Sequence, residues 1–120
     1  MNTNELVERY IATWNERDAG ARRAAIKEIW LDEGRLTDPL VVADGVEAID
    51  ATIAGVQERF PQFGVRLAGA VDAHHNLARF TWEMGQDGAE AVVVGFDVAV
   101  LSEDGRLREV HGFLDKVPTS

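Results

Sequence analysis

A chain of 120 residues can bury one apolar core, and its composition, 46% hydrophobic and 28% charged, is that of a folded domain and not of a disordered chain. Twelve Lys and Arg against 21 Asp and Glu leave a formal charge of -9, a surface that repels phosphate backbones and anionic lipid, so nucleic acid and membranes are not expected as partners. With no cysteine, disulfides, thiolate metal sites and a Cys nucleophile are excluded together. The opening MNTNELVERY is polar and acidic, and no segment approaches the ~20 apolar residues of a membrane span, so a soluble cytoplasmic protein is expected.

Residues 4–16 place Leu6, Val7, Tyr10, Ile11 and Trp14 on one stripe at helical spacing. Asp18 is suited to cap a second helix running to about Trp30, with Ala21, Ala25, Ile26 and Ile29 inward. Residues 34–38 read as a short strand. The segment DGVE at 44–47 reads as a capping box, Asp44 the N-cap and Glu47 its partner, and opens a third helix carrying Val46, Ile49, Ile53, Val56 and Phe60. Pro61 ends it.

After Pro61 the period changes from helix to strand. Phe63, Val65 and Leu67 alternate with polar or small residues, as do Phe80, Trp82 and Met84. Gln86, Asp87 and Gly88 mark a hairpin turn. Residues 90–101, EAVVVGFDVAVL, are apolar on both faces, as in a strand covered on both sides, and a last strand runs over about 106–116 after a turn at Ser102 to Gly105. Helices first and hairpins after give an α+β domain spanning 1–120, with the helices on one face of the sheet. The other face needs a cover, and a homodimer through it is expected.

Three polar residues stand out. Asp38 ends a strand and precedes Pro39, which restricts it to extended conformations and so fixes its carboxylate. That suits a general base, and it equally suits an Asp-Pro turn. Asp97 is the only ionisable residue within VVVGFDVAVL, so it is either paired, with Arg79 or Arg66 as nearby strand arginines, or it keeps its proton. A protonated carboxyl in an apolar pocket donates a hydrogen bond that stabilises an oxyanion. Tyr10, the only tyrosine, lies on the apolar stripe of the first helix, where its hydroxyl needs a polar partner. His74 and His75 are strand neighbours that point to opposite faces and do not share a metal, and no metal site is expected from them or from His111. Gly-rich phosphate loops, GxSxG and HExxH are absent from the sequence.

The order of elements, with RYIATWNERD at 9–18, LTDPL at 36–40, DGVEAID at 44–50 and REVHGFLD at 108–115, resembles the nuclear transport factor 2-like superfamily and its SnoaL-like members. The resemblance covers essentially the whole chain. It implies a cone-shaped α+β barrel, three helices of the N-terminal half packed on a strongly curved antiparallel sheet, one apolar cavity and frequent dimers. Within the superfamily, the segments RYIATWN, TDPL and VVVGFDV are similar to those of ketosteroid isomerase that carry its oxyanion-hole tyrosine, its general base and its protonated aspartate. The resemblance therefore implies catalytic roles for Tyr10, Asp38 and Asp97, and a substrate wall that includes Trp14, Ile53, Phe80, Trp82, Met84, Val110 and Gly112. Four departures are visible: the tyrosines that support the catalytic one are missing, with Ile53 in one such place; the loop between Asp38-Pro39 and the third helix is shorter; Gly95 and Phe96 precede Asp97 where that family strand has a proline; and a bulky Trp82 is expected to narrow the cavity.

The function this implies is an isomerase- or cyclase-like enzyme that removes a proton beside the carbonyl of a small apolar, steroid- or polyketide-like compound, without a cofactor. Two alternatives share the fold. One is a small-ligand-binding or accessory protein without chemistry. The other is an epoxide hydrolase-like enzyme with an Asp–Arg–Asp arrangement, to which Arg79 and Asp97 would contribute.

Overall fold

The structure, a computed structural model, describes residues 1–118. Helix α1 spans Thr3–Asn15 and helix α2 Ala19–Ile29, capped by Asn2 and Asp18, whose side chains accept from Glu5 N and Ala21 N. Helix α3 spans Val46–Arg59. The strands are β1 (Trp30–Asp38), β2 (Val41–Asp44), β3 (Gly64–Leu67), β4 (Asp72–His74), β5 (Leu77–Gly85), β6 (Val93–Leu101) and β7 (Leu107–Lys116). Among the described residues these three helices and seven strands form an α+β fold with one sheet, ordered β2-β1-β7-β6-β5-β3, with β4 also paired to β5. All ladders are antiparallel except β1 with β7, which run parallel, so the sheet is mixed. The helices cover one face and bury Leu6, Tyr10, Ile26, Ile29, Ile49 and Ile53 against Leu36, Phe80, Ala99 and Val110 of the sheet.

Several local expectations change. Trp30 is the first residue of β1 and not the end of α2. Between Trp30 and Arg35 the register with β7 shifts, and Gly34 sits under the Trp30 ring, where a Cβ would come within 2.4 Å of it. This irregularity lets β1 bend around the core. Ala21 faces solvent, because the inward stripe of α2 is Arg22, Ile26 and Ile29, one position around the helix. Asp44 does not cap α3. It is the last residue of β2, opposite Arg35, and makes a 3.1 Å ion pair with that arginine. The N-cap is Gly45 at φ 90°, a backbone that favours glycine, and no side chain caps the helix. Strands β2 and β4 are short and carry no long alternating pattern, which is why only the structure shows them.

A buried polar cluster fastens the three helices together. Arg22 donates through Nε to Asp50 Oδ1 at 2.6 Å and through Nη1 to Gln57 Oε1 at 2.9 Å. Gln57 in turn donates to the carbonyls of Trp14 at 3.1 Å and Glu16 at 2.7 Å. Burial raises the proton affinity of the Asp50 carboxyl, but the hydrogen bonds and charges of Arg22 and Arg23 outweigh it and hold the group below the usual carboxylate range. The cluster fixes the end of α1, and with it Trp14, against α3.

Candidate active site

Between the helices and the concave side of the sheet lies a cavity of about 830 Å³. Tyr10, Asp38 and Asp97, from α1, the end of β1 and the middle of β6, all line it. So do Trp14, Trp82, Met84 and Gly112. Ile53, Phe80 and Val110 do not. They are buried at 0%, 3% and 0% exposure in the core beneath the cavity floor. On α3 the cavity is faced by Thr52, Val56 and Arg59, a stripe at i, i+4 and i+7 lying beside the Ile49–Ile53 core stripe. A polar Thr and Arg flanking an apolar stripe were the signal available in the sequence.

Asp97 is almost fully buried, and its strand position explains why it points inward. Residues Val93, Gly95, Asp97 and Ala99 of β6 face the helices, while Val94, Phe96, Val98 and Val100 form the half-buried outer face. Neither strand arginine reaches Asp97. Arg79 pairs with Asp72 at 3.0 Å and Arg66 with Glu83 at 3.1 Å, away from the cavity. The carboxyl is instead held by a neutral donor. Trp82 donates from Nε1 to Oδ1 at 2.9 Å, and the Tyr10 hydroxyl lines the same cavity nearby. Burial pushes the carboxyl up to about 7, opposed by the Trp82 hydrogen bond and assisted by the negative charge of Asp38. The Asp–Arg–Asp arrangement of a hydrolase is therefore not assembled around Arg79 and Asp97.

Two glycines make room for this arrangement. Gly95 lies opposite Trp82 in the β5–β6 ladder, and a Cβ there would stand 2.1 Å from the indole. The ring thus lies flat across the strand instead of projecting into the cavity, and leaves it open. Gly112 lies opposite Asp97 in the β6–β7 ladder. Its added Cβ would meet Asp97 Oδ1 at 2.9 Å and Asp38 Cβ at 3.5 Å, so the two aspartates flank this glycine.

Asp38 is half-buried at the strand end. Its Oδ1 accepts from the backbone N–H groups of Leu40 at 2.7 Å and Val41 at 3.0 Å, the hydrogen bonds of an Asx turn. The turn reading and the base reading are thus compatible: one oxygen anchors the carboxylate, and among the described residues the other accepts no hydrogen bond. Tyr10 is 2% exposed and packs edge-on against Trp14, Trp30 and Phe80. Burial and the charge of Asp97 raise its hydroxyl well above the usual phenol range, so it stays a proton-bearing donor.

The histidines stand apart from the cavity. His74 closes β4 and His75 follows it at φ 51°, both exposed. His111 is half-buried, its Nδ1 2.9 Å from Thr37 Oγ1 and its Nε2 2.7 Å from Glu109 Oε1. Among the described residues, no group of three His, Cys, Asp or Glu is placed to hold a metal, and no helix is long and apolar enough to cross a membrane.

Comparison with known proteins agrees with this fold. The sequence profile of the SnoaL-like domain matches residues 7–110. Among solved structures, a proposed isomerase of the SnoaL-like family from Agrobacterium tumefaciens is 36% identical, with a TM-score of 0.88 over 92% of this chain and 95% of that one. A nuclear transport factor 2-like protein of unknown function from Cytophaga hutchinsonii is 15% identical with a TM-score of 0.72, covering 96% of this chain and 91% of that one. A proposed SnoaL-like polyketide cyclase from Jannaschia is 17% identical with a TM-score of 0.69, covering 93% and 86%. The last two share the fold alone. Among proteins of curated function none matches. The chain belongs to the SnoaL-like domain family, with the nuclear transport factor 2-like fold.

Proposed function

We propose that the protein is an isomerase- or cyclase-like enzyme that moves a proton beside the carbonyl of an apolar substrate. The observation that carries this reading is the meeting of Tyr10, Asp38 and Asp97 on one apolar cavity. The carbonyl oxygen would take hydrogen bonds from the Tyr10 hydroxyl and the protonated Asp97 carboxyl. The free oxygen of Asp38 would remove the adjacent carbon-bound proton. As the C–H bond breaks, its electron pair passes into the enolate, and negative charge gathers on the oxygen where the two donors wait. Asp38 then returns the proton, to the same carbon or to the far end of the conjugated enolate, which shifts the double bond. The chemistry draws on protein groups alone.

The test is solvent exchange. In deuterated water the protein should label the α-carbon of β,γ-unsaturated ketones with two to four fused rings, followed by proton NMR. Binding of such ketones without label incorporation would favour the second reading, a ligand-binding protein in which Asp38 serves its Asx turn alone. A homodimer belongs to the same proposal. The outer face of β6 carries Val94, Phe96, Val98 and Val100, beside Phe113 of β7, which is 57% exposed. A second copy of the chain would cover that face. Sedimentation at micromolar concentration should give twice the 13.2 kDa chain mass, and a monomer would refute the interface.

A further inference from the structure

The cavity has an acidic interior and a cationic margin. Its described lining contains four ionisable side chains: Tyr10, Asp38 and Asp97, with Arg59 the one cation. Asp97 and Tyr10 are buried, whereas Arg59, the last residue of α3, is exposed, so the cation stands at the mouth. Most basic side chains of this acidic protein are already engaged. Arg9, Arg22, Arg23, Arg35, Arg66, Arg79, Arg106 and Lys116 each pair with a carboxylate. Arg59 pairs with none among the described residues. Its guanidinium carbon instead lies 5.9 Å from the ring centre of Phe60, itself a lining residue, which holds the charge beside the opening. The rim is also apolar: Leu40 and Val117 line the cavity and are 86% and 51% exposed. About 830 Å³ is near the top of the ~300–1,000 Å³ range of ligand pockets, so the space suits a body of several rings or a long chain reaching the mouth.

We propose that Arg59 anchors an anionic group, a carboxylate or sulfonate, at the trailing end of the substrate. This rests on the catalytic reading for the orientation of the ligand: carbonyl inward at Tyr10 and Asp97, apolar body against Trp14, Met84 and Val56, anion outward at Arg59. The interior enforces that direction, because an anion beside the Asp38 carboxylate meets like charge and at Arg59 meets opposite charge. Neutral ketones of the same shape then bind less well, and the enzyme selects amphiphilic acids.

The test uses two fluorescent probes with one skeleton, 8-anilino-1-naphthalenesulfonate and the uncharged N-phenyl-1-naphthylamine, titrated into the folded protein. Wild type should prefer the sulfonate. Arg59→Gln should lose about fivefold in sulfonate affinity, the measure of a partly exposed charge pair, with the neutral probe unchanged. Arg59→Lys should recover most of the loss, and added salt should erode the preference in wild type alone. Equal affinity of wild type for the two probes, an unchanged sulfonate affinity in Arg59→Gln, or equal weakening of both probes would each overturn the anchor. No proton moves in this titration. A charge preference without exchange chemistry would remove only the catalytic reading, and exchange chemistry without the preference would remove only the anchor.

Discussion

The indole of Trp82 donates a 2.9 Å hydrogen bond to Asp97, and this bond opposes the larger effect of burial on how the carboxyl divides its time between acid and anion. Burial favours the acid, and the indole N–H favours the anion because it can only donate. The balance near 7 leaves a good part of Asp97 protonated at neutral pH and able to donate to a substrate oxygen. Trp82→Phe removes the donor and keeps most of the ring. The carboxyl should then titrate above 7, which the carbonyl stretch of the protonated form, followed against pH, will report. A titration unchanged by the substitution would mean that Trp82 is only a wall residue.

The same carboxyl makes stability depend on pH. Its folded-state value, about 7, lies above the ordinary 3.8, so between these limits the native state binds more protons than the unfolded chain. Stability therefore falls as pH rises through this window. At about 1.4 kcal/mol per unit the full cost approaches roughly 4 kcal/mol above pH 7. Asp97→Asn keeps an oxygen for Trp82 and abolishes the charge. It should stabilise the fold by a few kcal/mol at pH 8 and by little at pH 4, in urea unfolding at the two pH values. Equal effects at both would show that Asp97 is not the titrating group.

Asp50 has the opposite sign. Its carboxyl is held low by Arg22 and Arg23, so the stability it contributes is present above the ordinary carboxylate range and is lost as pH falls through the depressed value. Arg22→Met leaves Asp50 buried without its main partner and should cost about 3 kcal/mol at neutral pH. It should cost less under acid, where Asp50 accepts a proton. Since the cluster also fixes Trp14, weaker ligand binding should accompany the loss.

How much of this was legible in the sequence follows from the range of the interactions. The apolar stripe of α1 and the alternation of β5 depend on neighbours in the chain, and both were readable. Asp97 was visible as a charge in an apolar strand, yet its partner was not: Trp82 becomes its neighbour only through the β5–β6 register and the space above Gly95. The capping box at Asp44 failed because that residue is committed to the β1–β2 ladder opposite Arg35, a pairing the short β2 did not announce. Ala21 was misplaced for a related reason, since a buried Arg22 is legible only once Asp50 and Gln57 are known to face it. The three site residues Tyr10, Asp38 and Asp97 were chosen on chemistry and resemblance, and the fold brings them to one cavity. Of the expected wall, Trp14, Trp82, Met84 and Gly112 line the cavity, whereas Ile53 lies on the core stripe beside Thr52 and Val56, and Phe80 and Val110 sit two residues from Trp82 and Gly112 along the same strands, a depth that only the curvature of the sheet sets.

The most direct measurement is deuterium incorporation at the α-carbon of a bound ketone by wild type and by Asp38→Asn, with ligand affinity measured alongside. Asn keeps the Asx-turn oxygen and loses the base. Exchange should fall by about a hundredfold to ten-thousandfold, the usual contribution of a positioned general base, while affinity stays within about threefold. Undiminished exchange in Asp38→Asn would contradict the account at its centre.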